Sequence, residues 1–193
     1  TDNQFYEKFD NGKIVNITDE IPFEIPENWC WTKLGFISTY SHKKNKINSK
    51  KADPETWLLD MEDIEKGGRI LVKNKLNSKN SIGDKTIFKK DNILYSKLRP
   101  YLKKILIAPD DGICTPELVP FELYGNINIQ YVVNYLKSPY VDFKINQATY
   151  GSKMPRVGTE TMFNLFIPIP PIKEQKRIIS KIKNILNYIE TAE

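Results

Sequence analysis

Histidine and cysteine are nearly missing from this 193-residue chain: His42 stands alone, and Cys30 and Cys114 are the only thiols. So few ligands exclude a structural zinc site, and two cysteines make no disulfide framework. Two lone cysteines fit small buried hydrophobes in a reducing compartment, so a cytoplasmic location is expected. No apolar run approaches the ~20 residues of a membrane span and no signal-peptide pattern is visible, so no membrane partner is expected. A glycine-rich phosphate loop is lacking, since Gly67-Gly68 has no following lysine and hydroxyl in the required spacing. Ser138-Pro139-Tyr140 is one proline short of a methyltransferase motif, and no glycine-rich cofactor motif accompanies it. Pro109-Asp110 and Glu174-Gln175-Lys176 mimic a nuclease pattern, but they are far apart and the second opens a helix. His42 sits in a lysine-rich loop and is a poor triad base. The chain is therefore expected not to be an enzyme by itself, with no catalytic residue and no metal ligand assigned.

Arginine is also scarce. Of 29 basic residues only Arg69, Arg99, Arg156 and Arg177 are arginine, and Asn and Ile are abundant. That is the composition of AT-rich coding sequence, which raises lysine without selection for binding. The net charge of +5 and a pI near 9.0 thus favour a polyanionic partner only mildly. The arginines run against the bias and carry more weight, two of them beside prolines at Arg99-Pro100 and Pro155-Arg156.

A hydrophobic content of 40% over this length supports one sizeable core. Residues 1–24 are polar and mixed in charge, with Asn11-Gly12 as a turn, and are expected as a linker or the tail of a preceding element. Two prolines extend Ile21–Trp29, and Trp29, Trp31 and Leu34 alternate as a strand facing a core. Residues 41–51, SHKKNKINSKK, are expected as a basic loop, either solvated or phosphate-contacting. Short apolar runs at 57–59, 70–72, 86–88, 93–95, 105–107 and 118–123, separated by turn chemistry that includes Pro109–Gly112, predict a twisted, partly barrel-like antiparallel sheet. Residues 129–147 turn helical, with Ser138-Pro139 restarting the helix. Pro168 and Pro170 suit an edge strand or an exit from a sheet, and Pro171 a helix first turn. Ile178, Ile182, Ile185 and Ile189 then follow heptad spacing, and Ile179 and Leu186 widen the stripe. The expected class is α/β (α+β): a globule over 25–170 with a twisted sheet and flanking helices, then a coiled-coil-type helix from 171 to 193.

Four segments in order resemble the specificity (S) subunit of type I restriction–modification enzymes. They are Ile25-Pro26-Glu27-Asn28-Trp29, the stretch Asp91 to Pro100, Gly151-Ser152-Lys153 with Pro155-Arg156, and Ile167 to Pro171 continuing through Glu174-Gln175 and Arg177-Ile178-Ile179. Any one is weak; four in family order, covering the chain from about residue 21, are specific. The resemblance implies a target recognition domain that reads one half of a split double-stranded DNA site, followed by a spacer helix. It implies modification (methyltransferase) subunits that bind S-adenosylmethionine and a restriction subunit that uses ATP and Mg, with no cofactor bound by this chain. Whole S subunits carry two recognition domains and two helices. The expectation is therefore a fragment or a half-subunit, completed by a second recognition domain in the same or another chain.

Base edges are read by arginine, asparagine and glutamine, while phosphate contacts fix register. The candidate phosphate contacts are Lys43, Lys44, Lys46, Lys97, Lys103 and Lys153. The candidate base readers are Arg99, Arg156, Asn45 and Arg69. Motif positions shared across different DNA targets more readily grip backbone than read sequence, which demotes Arg99 and Arg156 as readers and points to the stretch from Lys43 to Ser81. For both arginines a structural ion pair is the alternative. Ile178, Ile182, Ile185, Leu186 and Ile189 are the candidate helix interface. The rival class is a non-DNA interaction module that oligomerises through this helix.

Overall fold

A computed structural model describes residues 4–191. Tyr6–Lys8 (β1) and Ile14–Asn16 (β2) form an antiparallel hairpin. Gly12, at φ 81°, supplies the left-handed turn residue between them. This stretch was expected as a linker or a tail. It carries regular structure, and Glu7 accepts from Lys33 of β3 (Cys30–Lys33) at 2.8 Å. Leu34, fully buried, opens a one-turn helix α1 (Leu34–Ile37), so the alternation that begins at Trp29 ends as a strand at Lys33.

The central strands are β4 (Lys46–Asn48), β5 (Trp57–Leu59), β6 (Asn74–Lys75), β7 (Asp84–Phe88), β8 (Ile93–Ser96), β9 (Ile105–Ile107), β10 (Gly112–Cys114) and β11 (Leu118–Phe121). They do not make one barrel-like sheet. They divide into a five-stranded sheet of order β4-β7-β10-β5-β6 and a three-stranded sheet β11-β8-β9. Only β10 and β5 run parallel. Strand periodicity explains the division: Leu58 joins a small cluster with Leu76 and Ile113, while its neighbour Leu59 joins Phe88, Leu94, Leu106 and Leu118. Likewise Leu94 faces that second cluster, whereas Ile93 and Tyr95 face the main core.

Three expectations need correction. Residues 70–72 form no strand: Ile70 bridges back to Ile64 across the Gly67-Gly68 turn, and Leu71 and Val72 stay exposed. Residues 41–51 are not all loop, because β4 pairs with β7 at their centre. Gly112 belongs to a strand and not only to a turn. A β-carbon there would lie 2.6 Å from the Phe88 ring and 2.8 Å from the Trp57 carbonyl, so only glycine lets β10 pass between β7 and β5.

The helical half follows its chemistry closely. Asn128 caps α2 (Ile129–Leu136) by accepting from the Gln130 and Tyr131 amides. Ser138 caps α3 (Pro139–Gln147) with Pro139 at its first turn, as the Ser-Pro pair predicts. Val132, Val133, Leu136, Val141 and Ile145 join the main core, where α2 packs against β9, and Met162 of α4 (Thr159–Phe163) belongs to the same core. β12 (Phe166–Ile169) pairs only with β3, so the missing donor of Pro168 disturbs no larger ladder. α2 grips β12 through Tyr131 Oη to the Pro168 carbonyl at 2.6 Å and Tyr135 Oη to the Phe166 carbonyl at 3.0 Å.

Pro171 stands just before α5 (Ile172–Thr191), and its carbonyl accepts from the Glu174 and Gln175 amides. Twenty residues make α5 about 30 Å long. Ile178 and Ile179 pack on the main core, whereas Ile185, Leu186 and Ile189 are about half exposed. Among the described residues no helix is long and apolar enough to cross a membrane.

Candidate nucleic-acid interface

The segments 91–100 and 151–156, over fifty residues apart in sequence, meet edge to edge. β8 ends at Ser96, and the chain continues as an irregular ladder. The Lys97 amide donates to the Glu117 carbonyl at 3.0 Å, Val157 donates to Lys97 at 3.0 Å, and Arg99 donates to Pro155 at 2.7 Å. Tyr150 and Arg156 exchange backbone bonds at 3.0 and 2.9 Å, and Gly151, at φ +88°, allows the turn between them. Arg99 and Lys103 flank a short 3-10 turn, Pro100–Leu102, and both are left-handed at φ 49°. Holding non-glycine residues there costs about 1 kcal/mol or more each, which the surrounding bonds must offset.

Side chains in this cluster differ in what they are free to do. The Arg156 guanidinium is held by Glu117, at 2.9 Å from Nη2 and 3.3 Å from Nε. Lys103 Nζ lies 3.1 Å from Asp142. Arg69 pairs with Glu65 at 2.6 Å. Its turn leans on the same loop: the Gly67 amide donates to the Leu102 carbonyl, and a β-carbon on Gly68 would come within 2.0 Å of the Ile105 oxygen. Arg99 and Lys153 are exposed, and among the described residues neither has a carboxylate within ion-pair distance.

The basic loop supplies the other group. Lys43 and Asn45 are exposed, and the Asn45 carbonyl accepts from the Ile87 amide at 2.9 Å. Lys46 opens β4, directly opposite Thr86. Lys44 turns inward, donating to the Thr39 carbonyl at 2.6 Å. Burial pulls its pKa down to about 8, against the opposing pull of Glu122. Lys44, Lys46 and Lys97 line one hollow of about 210 Å3, while Lys43 and Asn45 face a neighbouring one with Glu122.

The structure thus brings Lys97, Arg99, Lys103, Lys153 and Arg156 into one loop cluster, with the turn of Arg69 against it and Lys44 and Lys46 beside Lys97. The α5 positions Ile182, Ile185, Leu186 and Ile189 lie on a separate element. Glu117, Thr86 and Thr159 were missed, because their roles come from pairing at long sequence separation. His42, dismissed as a base, lines both hollows and lies 3.2 Å from the Tyr124 hydroxyl. Among the described residues no group of three His, Cys, Asp or Glu could hold a metal.

Lys44 gives a pH signature. In the folded chain it loses its proton near pH 8, whereas the unfolded chain keeps it to about 10.5. The unfolded state binds more protons in that window, so the stability linked to Lys44 rises with pH from 8 to 10.5. A phosphate contact needs the charged form and fades as pH passes 8. Duplex affinity, followed by fluorescence anisotropy at constant ionic strength, is expected to fall between pH 7 and 9 more steeply than in Lys44→Gln. Superimposable profiles would exclude Lys44 from the contact.

The sequence model described as the type I restriction modification DNA specificity domain matches residues 26–193. The chain is 27% identical over 181 residues to the type I restriction enzyme EcoDI specificity subunit of Escherichia coli, covering 90% of this chain and 38% of that protein. It is 31% identical over 181 residues to the MjaVIII specificity subunit of Methanocaldococcus jannaschii, covering 86% of this chain and 41% of that one. The chain therefore spans about two fifths of these relatives. The crystal structure of the HsdS subunit from Thermoanaerobacter tengcongensis shares the fold, with a TM-score of 0.73 at 21% identity over 90% of this chain and 46% of that chain.

Proposed function

The chain belongs to the type I restriction–modification DNA specificity family, and on that premise we propose that it reads one half of a bipartite double-stranded DNA site. In this reading residues 25–170 are the recognition domain, the stretch before them joins it to a preceding element, and 171–193 begin a spacer helix. The chain carries out no chemistry. It positions modification subunits that use S-adenosylmethionine and a restriction subunit that uses ATP and Mg, in the cytoplasm. A second recognition domain, in the same or another chain, reads the other half-site.

The observation that carries the proposal is the junction of 97–99 with 155–157, where two family segments converge on a surface bearing exposed Arg99 and Lys153, neither ion-paired among the described residues. Lys43, Lys44, Lys46 and Lys97 extend the phosphate-contacting face. Lys103 and Arg156 hold carboxylates in the free chain and reach DNA only by exchanging them for phosphate, and Arg69 must release Glu65 before it can read a base. Asn45 and other residues between Lys43 and Ser81 read bases. The half-exposed Ile185, Leu186 and Ile189 make the α5 stripe an interface for another helix, continuing from Ile178 and Ile182.

Methylation mapping of source cells with and without the gene tests this directly. Loss of one bipartite methylated motif on deletion is expected; an unchanged methylome contradicts the proposal. The rival interaction-module reading expects duplex affinity to survive Lys44 and Arg156 charge reversals while Ile182→Asp abolishes assembly.

A further inference from the structure

We propose that the hollow between the 40–46 loop and Lys97 is a seat for a single phosphate group, supplied by the DNA backbone. The inference rests on the DNA-binding reading and deepens it by naming one shared contact where the sequence offers three separate lysines.

Lys44 and Lys46 approach from the basic loop and Lys97 from the end of β8, and no carboxylate lines the hollow. Lys46 and Lys97 have no ion-pair partner among the described residues, while the amine of Lys44 is held by the Thr39 carbonyl and also feels the Glu122 carboxylate of the neighbouring hollow. Nearby Arg69, Lys103 and Arg156 each have a carboxylate instead. Two unit charges ~8 Å apart at an effective dielectric of ~20 repel by about 2 kcal/mol, so three cations around one small hollow favour an anion between them. Ser41, Thr86 and Thr159 add hydroxyls to the wall, which suits a tetrahedral oxyanion with several acceptor oxygens.

Size decides the class of ligand. The hollow of about 210 Å3 falls below the roughly 300–1,000 Å3 of pockets that enclose drug-sized ligands, yet leaves room for a phosphate and a few waters at about 30 Å3 each. Its frame is fixed before binding. Lys46 is registered against Thr86 in the sheet, and the backbone of Lys97 is held on both sides by Glu117 and Val157. Burial that draws the Lys44 pKa down to about 8 is reversed by an anion at this place.

Free phosphate and a DNA phosphodiester share this chemistry, and two experiments on the whole chain separate them. In the first, inorganic phosphate is titrated into the wild type and the lysine side chains are followed by NMR against a chloride control of equal ionic strength. Shifts at Lys44, Lys46 and Lys97 are expected; shifts no larger than with chloride overturn the seat. In the second, the salt dependence of duplex affinity is compared for wild type, Lys46→Gln, Lys97→Gln and the triple variant that adds Lys44→Gln. Each neutralised phosphate adds about 0.9 to the log–log slope. The triple variant is expected to lose about 0.9 and each single variant less, since the remaining lysines still neutralise the shared phosphate. A loss of about 2.7 in the triple variant, as for three separate contacts, or none, overturns the shared phosphodiester while a steep wild-type slope keeps the DNA reading. No salt-dependent duplex binding by the wild type overturns the DNA reading, and shifts in the first experiment then assign the seat to free phosphate.

Discussion

Arg99→Glu is expected to lower the affinity of this chain for duplex DNA by about 100-fold, since on the proposed reading it places a like charge against a phosphate, which costs several kcal/mol, and each 1.4 kcal/mol is tenfold. The size of the effect follows from how Arg99 is held. Its backbone is left-handed and bonded to Pro155, so the side chain cannot retreat by a simple loop shift. Its guanidinium is exposed with no carboxylate at ion-pair distance among the described residues, so removing it breaks no internal pair. Arg69→Glu provides the contrast, because Arg69 already pairs with Glu65 and its loss is expected to be several-fold smaller. Anisotropy titrations on a fixed duplex check both; equal effects at the two positions would remove the special standing of the 97–99 junction.

Gln175→Leu is expected to be the most damaging change at the root of α5. Gln175 is only 2% exposed, and its side chain bridges two segments. Its oxygen accepts from the Asn128 amide at 2.8 Å, and its nitrogen donates to the Pro170 carbonyl at 2.8 Å. Asn128 is also the cap of α2, so one buried amide ties the exit of β12, the start of α5 and the start of α2 together. Leucine keeps the volume and leaves both backbone groups without partners, at about 1–3 kcal/mol for each. A net loss of about 3 kcal/mol lowers Tm by roughly 6–12 °C in a domain of this size. Thermal unfolding measures it; a fall under 2 °C would mean that water replaces the side chain.

These two residues also mark how far the sequence alone reaches. Arg99 stands out in the sequence because it runs against a lysine-rich background inside a family segment, and the structure leaves it exposed. Gln175 lay in another such segment, yet its bridge to Asn128 joins residues 47 positions apart and leaves no local signal. Local chemistry was read well: the Ser138-Pro139 restart and the strands at 57–59, 86–88, 93–95 and 105–107 form where side-chain pattern and turn residues agree. The pattern failed where pairing is decided at a distance. Gly112 has the appearance of a turn because the close approach of Phe88 and Trp57 is invisible in its neighbours. Lys46–Asn48 reads as loop because only β7 makes it a strand. The prolines at 168–171 do mark the junction, but Gln175, Tyr131 and Tyr135 supply the bonds that hold it. At the candidate interface the lysines and arginines could be named one by one. Which of them share a hollow, and which are taken up by Glu117, Asp142 or Glu65, depends on contacts between distant segments.

The central claim is sequence-specific DNA recognition. Its most direct measurement is selection from a randomised duplex pool by this chain in complex with the proposed modification subunits, at physiological salt. The account predicts enrichment of one short half-site, with each mismatch costing about 1–3 kcal/mol. Equal, weak binding to every duplex in that complex would contradict it.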